Sequence, residues 1–391
     1  MKPNKPMIDT QDALLQAIDV LRTQSVIAVD TEFIREKTYY PQLCLIQIAY
    51  EEGVFLIDPL SGIDLGALRE VFCNPAILKV FHSGQQDLEI MYHLLGEPTR
   101  PLFDTQVAAA LVGMTDQVSY ATFIKTMLDH TLKKNSSFSV WSRRPLTASQ
   151  IEYAKDDVLY LLQAYPLLRK QLEELGRLPW LEEEFAYRQT TAYVKEVDPH
   201  EAYRTLKRVS TLSPRQAAIA REVAAWRQRQ AQRLDRPRRR ILPDESIIEI
   251  ARKQPLEQAD LENIRGINMF AGRNSAEIIA AVRLGKQISS DQLPILKVAE
   301  KPNIEIESSA QLARALVHKR AKEHHIAPNV LANNAMIEEF VRTPTADAQL
   351  LQGWRKILIG EELLDLVHGE LALSIHEGKL QVISFPTKEQ A

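Results

Sequence analysis

The stretch SVIAVDTEF, residues 25 to 33, reads as a β-strand in which β-branched and small apolar residues lead into Asp30-Thr31-Glu32. Side chains of a strand alternate between its two faces, so Asp30 and Glu32 project from the same side as neighbours. Acidic residues are poor strand formers, and two like charges beside an apolar run cost energy unless a cation or a partner sits between them. On this stretch alone, a strand with one solvated face explains the pattern equally well. The surrounding sequence continues in the same style. LCLIQIAY at 43 to 50 and GVFLID at 53 to 58 are further β-rich runs separated by short turns, which predicts a meander, and AILKVF at 76 to 81 follows a helical stretch around 64 to 72. The switch to HSGQQDLEIMYHLLG starts a helix, with an S-x-x-Q capping signal at Ser83 and Gln86 and a stop at Gly96. Strands alternating with helices predict an α/β layer architecture. From Asp104 onward the pattern is helical, interrupted by KKNSSFSVWSRRPLT at 133 to 147, which is expected to be a surface loop.

Two further acids stand out. Asp87 falls in the first turn of the helix after the fourth strand, where the helix dipole favours a carboxylate whatever its function. TASQIEYAKDDVLYLLQAY, 147 to 165, reads as one helix with an apolar stripe of Ile151, Ala154, Val158, Leu161, Leu162 and Tyr165. At about 100° per residue Asp156 points away from that stripe, whereas Asp157 lies on its flank beside Tyr153, four residues earlier. A helix that packs its stripe on a sheet brings Asp157 to the edge of the strand layer and leaves Asp156 and Glu152 to solvent.

A chain of 391 residues exceeds one ordinary core and predicts two or three domains. With 45% hydrophobic and 25% charged residues, neither a disordered nor a fibrous protein is indicated. The start, MKPNKPMIDTQDALL, lacks a signal-peptide run, and no apolar stretch reaches the length of a membrane span, so a cytoplasmic protein is expected. Cys44 and Cys73 lie in apolar runs and read as buried thiols. Residues 1 to 198 hold 19 Lys/Arg against 27 Asp/Glu, residues 199 to 286 hold 18 against 10, and residues 287 to 391 hold 11 against 14. A basic middle beside an acidic first part suits a polyanion-binding segment next to a cation-binding one. Beyond Asp198 no strand-like alternation stands out. LPDESIIEIAR at 242 to 252 aligns with LANNAMIEEFVR at 331 to 342, and 264 to 282 with 351 to 367, which implies two copies of one helical module. The polar, proline-containing stretch 288 to 309 reads as the boundary between them.

Together these features resemble the DEDD exonucleases and, within them, the ribonuclease D family. The resemblance is carried by Asp30-Thr31-Glu32, the stretch His82 to Asp87, Phe103-Asp104-Thr105-Gln106, Trp141-Ser142-Arg143-Arg144-Pro145-Leu146 and Tyr153-x-x-x-Asp157, in this order, followed by two modules similar to the helicase-and-RNase-D C-terminal (HRDC) domain. It covers nearly the whole chain, with the second module the more divergent. It implies an α/β plus all-α protein: a ribonuclease H-like mixed-sheet exonuclease domain at 1–198, a first HRDC-type domain at 199–290 and a second, HRDC-like domain at 305–391. The implied activity is 3′→5′ hydrolysis of RNA to nucleoside 5′-monophosphates, in maturation of transfer RNA precursors, with RNA bearing a free 3′ end as partner and no obligate protein partner.

The resemblance further implies two divalent ions, Mg²⁺ or Mn²⁺, held by Asp30, Glu32, Asp87 and Asp157, with Asp30 bridging them. Two such ions about 3.5 to 4 Å apart stabilise the nucleophilic water, the phosphorus and the departing alkoxide of phosphodiester hydrolysis. Tyr153 would orient or deprotonate the water, a base only where its pKa drops from the usual phenol value near 10. Lys133, Lys134, Arg143 and Arg144 are candidate guides for the strand, Trp141 could stack on a base or anchor its loop, and the run Arg227 to Arg240, which includes Arg238, Arg239 and Arg240, offers phosphate contacts or a merely solvated basic face. Two other functions share these motifs: an exonuclease acting on DNA, and a non-catalytic RNA-binding module that has kept the fold.

Overall fold

The computed structural model describes residues 7–133, 140–191, 198–267, 269–296 and 304–385. Among these the chain forms two compact units: one comprises 1–32, 44–194 and 302–391, the other 33–43 and 195–301. No helix among the described residues is long and apolar enough to cross a membrane.

The first unit is built on a five-stranded sheet in the order β3-β2-β1-β4-β5. Helix α1 (Gln11–Leu21) precedes β1 (Val26–Ile34), which leads through β2 (Gln42–Tyr50) and β3 (Gly53–Ile57) to β4 (Leu78–Phe81), helix α2 (Gln85–Leu95) and β5 (Leu102–Asp104). The sheet is mixed: β2 and β3 form an antiparallel hairpin, whereas β1 pairs parallel with β4 and β4 with β5. Ile27, Ala28 and Val29 of the central strand are buried. The strand therefore sits in the core by its first half and offers Asp30 and Glu32 from its carboxyl half, where parallel sheets place their ligands. The three-residue β5 was not foreseen from the sequence.

After β5 come α3 (Thr105–Ala110), α4 (Tyr120–Leu128), the 27-residue α5 (Ala148–Glu174) and α6 (Leu178–Thr191). A capping box between Thr147 and Gln150 starts α5. Its buried face is Gln150, Ala154, Val158, Leu161, Ala164, Tyr165, Leu168 and Leu172, while Ile151 and Leu162 are only half-buried. The stripe is thus the expected one turned slightly about the helix axis, and each fully buried aliphatic side chain in it contributes about 1.5–3 kcal/mol.

The second unit packs α7 (Pro214–Arg233), α8 (Asp244–Lys253) and α9 (Ser275–Gln287) around Tyr203, Trp226, Leu242, Ile247 and Val282. The same pattern recurs in the first unit as α10 (Ile304–Glu323), α11 (Asn334–Arg342) and α12 (Glu361–His368). Even the turn after the long helix repeats, with Asp235 at φ 47° and His325 at φ 50°. The chain after Asp198 is not wholly helical, contrary to expectation: β6 (Leu371–His376) and β7 (Lys379–Ser384) form an antiparallel hairpin. Glu377 and Gly378 both adopt positive φ, as a tight two-residue hairpin turn requires.

Two buried arginines fix the second helical module to the first unit. Arg177 donates to the carbonyls of Leu111 (2.6 Å), His324 (2.5 Å) and His325 (3.2 Å). Arg355 pairs with Glu184 at 2.5 Å and donates to the carbonyls of Leu331 and Val330. Trp180 and Trp354 stack with ring centres 5.1 Å apart.

Candidate active site

β1 delivers Asp30 and Glu32, and α5 delivers Tyr153 and Asp157 one turn apart. One carboxylate oxygen each from Asp30, Glu32 and Asp157 lies within 4.8 Å of the others. Asp87, in the first turn of α2, is 7% exposed and accepts a short hydrogen bond from the hydroxyl of Thr31, the residue between the two β1 acids. Asp30, Glu32 and Asp157 thus converge, while Asp87 stands beside them, outside the 4.8 Å group, held by Thr31 and near enough to act on the charge of Asp30.

The turn that presents Asp87 is built differently from the sequence expectation. Ser83 does not cap α2. It adopts φ 60°, and the carboxylate of Asp104 accepts from the backbone N–H groups of Ser83 (3.0 Å) and Gly84 (2.9 Å) while capping α3 through Gln106 N (2.9 Å). A Cβ at residue 84 would come within 2.5 Å of the Phe81 side chain, so only glycine fits. Asp104 is thus a structural acid that fastens the end of β4 to the start of α2.

Burial dominates the electrostatics, and the mutual repulsion of the acids adds to it. Burial first, then the neighbouring acids Asp87, Asp157 and Glu32, raise the Asp30 carboxyl well above the carboxylate range. Burial and the same neighbours push Glu32 to about 8. Burial lifts Asp157 to about 7 against the hydrogen bond from Tyr153, and Asp87 to about 6 against that from Thr31. The phenol of Tyr153 is also raised, chiefly by burial and then by the charges of Asp157 and Glu32.

A cleft of about 420 Å³ opens beside Asp30, Tyr153 and Asp157 and is also lined by His82, Tyr120 and Lys133. That volume falls within the range of ligand pockets. Tyr120 donates to the backbone carbonyl of Asp156 at 2.8 Å, tying α4 to α5. Asp156, expected to face solvent, lines the same cleft and is only partly exposed. His82 Nε2 donates to the Val118 carbonyl at 3.0 Å and Nδ1 faces Thr105 Oγ1 at 2.9 Å, while burial holds the ring's pKa below its ordinary value. Sequence reasoning did not single out Tyr120. Its only local signal is the helix cap at Ser119, which accepts from Thr122 N.

The basic and aromatic candidates divide. Lys133 stands at the cleft and pairs with Glu152 at 2.7 Å, and Arg143 is exposed. Lys134 lies outside the described residues. Trp141 is 4% exposed, with its ring centre 6.0 Å from that of Tyr153. It anchors its loop and offers no face to a base. Arg144, expected to guide RNA, is instead committed to Asp58 through two nitrogens at 2.6 and 2.7 Å. In the basic run, Arg227 is 2% exposed and pairs with Asp244 at 2.6 Å, so it belongs to the core. Arg238, Arg239 and Arg240 are at least partly exposed, and Arg239 is 3.3 Å from Glu245.

A converging set of hard carboxylate oxygens, partly desolvated and repelling one another, is the donor set that divalent Mg²⁺ or Mn²⁺ requires, because a cation offsets both the burial and the repulsion. The residues present fit such ions. Comparison with known proteins points the same way. Residues 6–173 match the family model described as 3′-5′ exonuclease, and residues 216–282 match that of the HRDC domain. The chain is 37% identical to a ribonuclease D of Acidiphilium cryptum, covering 98% of each chain. It is 36% identical to one of Gluconacetobacter diazotrophicus, covering 95% of each. Among solved structures, Escherichia coli RNase D, described as an exoribonuclease involved in structured RNA processing, matches with a TM-score of 0.83 at 31% identity over 94% of this chain and 99% of that one.

Proposed function

This chain belongs to the ribonuclease D family and is a 3′→5′ exoribonuclease, and we propose that Asp30, Glu32, Asp87 and Asp157 hold its divalent ions while Tyr153 orients the attacking water. The family works with divalent metals. We take two ions, Mg²⁺ or Mn²⁺, as the complement of four carboxylates. When bound, such ions acidify a water and neutralise charge on the scissile phosphate. The single observation that carries this reading is the convergence of Asp30, Glu32 and Asp157 oxygens within 4.8 Å.

The protein's own residues supply positioning. Thr31 donates a hydrogen bond to Asp87 and so fixes the direction in which that acid's remaining lone pairs point. Tyr153, which lines the cleft beside Asp30 and Asp157, is placed to orient a water by hydrogen bonding. The cleft beside the acids takes the 3′-terminal nucleotide, and Lys133 and Arg143 attract the following phosphates. In the proposed division of labour, residues 1–198 carry the chemistry and 199–290 contact RNA through Arg238, Arg239 and Arg240. The more divergent module, 305–391, serves mainly as a support. Structured RNA with a free 3′ end, transfer RNA precursors among them, is the substrate class this reading favours.

The test is degradation of 5′-labelled RNA with Mg²⁺, Mn²⁺ or a chelator. The expected result is a ladder shortening from the 3′ end, release of nucleoside 5′-monophosphates, and full arrest by the chelator. Preferential degradation of a matched single-stranded DNA would replace RNA by DNA as the substrate, and internal cuts would contradict an exonuclease.

A further inference from the structure

Arg144 sits where five hydrogen bonds meet. Its Nε and Nη2 form a fork on Asp58, at 2.7 Å to Oδ2 and 2.6 Å to Oδ1. Nη2 also donates to the carbonyl of Cys44 at 2.6 Å, and Nη1 donates to the carbonyls of Trp141 at 2.8 Å and Arg143 at 3.1 Å. Asp58 is nearly buried, with a side chain 8% exposed, and that of Arg144 is 24% exposed. Every direction of the planar guanidinium is in use, which leaves no fork for a phosphate.

The partners belong to three parts of the first unit. Cys44 is in β2, the neighbour of the acid-bearing β1, and Asp58 caps the turn after β3 through Leu60 N at 2.9 Å. Trp141 and Arg143 lie in the segment that runs into Thr147, the cap of α5. Arg144 thus ties the sheet to the chain entering the helix that carries Tyr153 and Asp157, and the carbonyl it holds belongs to the tryptophan whose ring lies near Tyr153.

We infer that Arg144, held by Asp58, is a positioning residue that sets where α5 places Tyr153 and Asp157 against the acids of β1. The inference rests on the exoribonuclease reading of that site. It also separates Arg144 from its neighbour Arg143, which is exposed. A reacting group displaced by about 1 Å can lower a rate by about a hundredfold, so loss of the tie is expected mainly in turnover.

The test compares the full chain with Arg144→Gln, Arg144→Lys and Asp58→Asn, well below each unfolding midpoint. Single-turnover degradation of labelled RNA is measured alongside RNA affinity in chelator over a salt series. Expected are turnover falling about 10- to 100-fold in all three variants and unchanged metal-free affinity with an unchanged salt slope. Arg144→Lys should stay low, because an ammonium keeps the charge but cannot span Asp58 and three carbonyls. The double variant Arg144→Gln/Asp58→Asn should be no slower than the slower single one. Full turnover in Arg144→Lys, or in Asp58→Asn, overturns the inference, as does a salt slope reduced by about one with turnover intact, which makes Arg144 a phosphate contact. Should Arg144→Gln fail to fold, Asp58→Asn decides by the same criteria. Wild-type protein that leaves RNA intact contradicts the functional reading itself, whereas active wild type with equally active variants contradicts only the role of Arg144.

Discussion

Tyr153 and Asp157 stand one turn apart on α5 and line the same cleft beside Asp30, so the candidate water-orienting group and a candidate metal ligand are set side by side before substrate arrives. The pair sits on the flank of a helix whose apolar face, Ala154, Val158 and Leu161 among it, is buried.

Replacing Tyr153 by Phe keeps the ring and removes the hydroxyl. Turnover should fall about 10²-fold, the lower end of what a positioned proton-handling group contributes, with RNA affinity unchanged. Single-turnover kinetics beside equilibrium binding check this, and unaltered turnover would reduce Tyr153 to a packing residue.

Asp30→Asn separates function from stability. Loss of ligands that merely orient a metal's partners already costs 10- to 100-fold, so removing a direct ligand should lower activity by at least about a hundredfold. The same change removes the desolvation and repulsion borne by a half-buried carboxylate, so the metal-free thermal midpoint should rise. Calorimetry in chelator measures it. A lower midpoint together with lost activity would point to a structural acid.

The acid cluster also sets a pH dependence. The folded protein holds protons on Glu32, Asp157 and Asp87 up to about pH 8, 7 and 6, whereas an unfolded chain releases them near pH 4. The folded state binds more protons across that window, so the stability from these groups is complete below about pH 4 and is lost as pH rises toward 8. In chelator, Glu32→Gln should therefore gain stability over wild type progressively from pH 5 to pH 8. A difference that does not change with pH would contradict the crowding.

The pair Arg355 and Glu184, at 2.5 Å with side chains 9% and 5% exposed, predicts the cost of loosening the second helical module. Glu184→Ala leaves a buried guanidinium without its counter-charge and should destabilise by about 3–5 kcal/mol in denaturant unfolding. A loss below about 1 kcal/mol would mean that the carbonyls of Val330 and Leu331 suffice.

Much of the candidate site's placement was legible because it rests on periodicity. Alternation in SVIAVDTEF put Asp30 and Glu32 on one side, and the stripe of α5 put Asp157 beside Tyr153. What stayed hidden depends on partners distant in sequence. Asp104 stands in the sequence only as part of the Phe103-Asp104-Thr105-Gln106 match, and its role emerges when its oxygens are seen holding Ser83 and Gly84. Arg144, Trp141 and Arg227 look like nucleic-acid contacts by composition, yet each is taken into packing by a partner, Asp58 and Asp244 being far along the chain. The short β5 owes its existence to pairing with β4, and the β6–β7 hairpin signal, a Glu-Gly turn between two six-residue runs, is weak beside the helical repeat preceding it.

The central claim is that these acids grip metal ions. Anomalous diffraction from crystals soaked in Mn²⁺ tests it most directly. Peaks among Asp30, Glu32, Asp87 and Asp157 are predicted, absent in Asp30→Asn or reduced to one; a map without manganese at these carboxylates, or with it only elsewhere, would contradict the account.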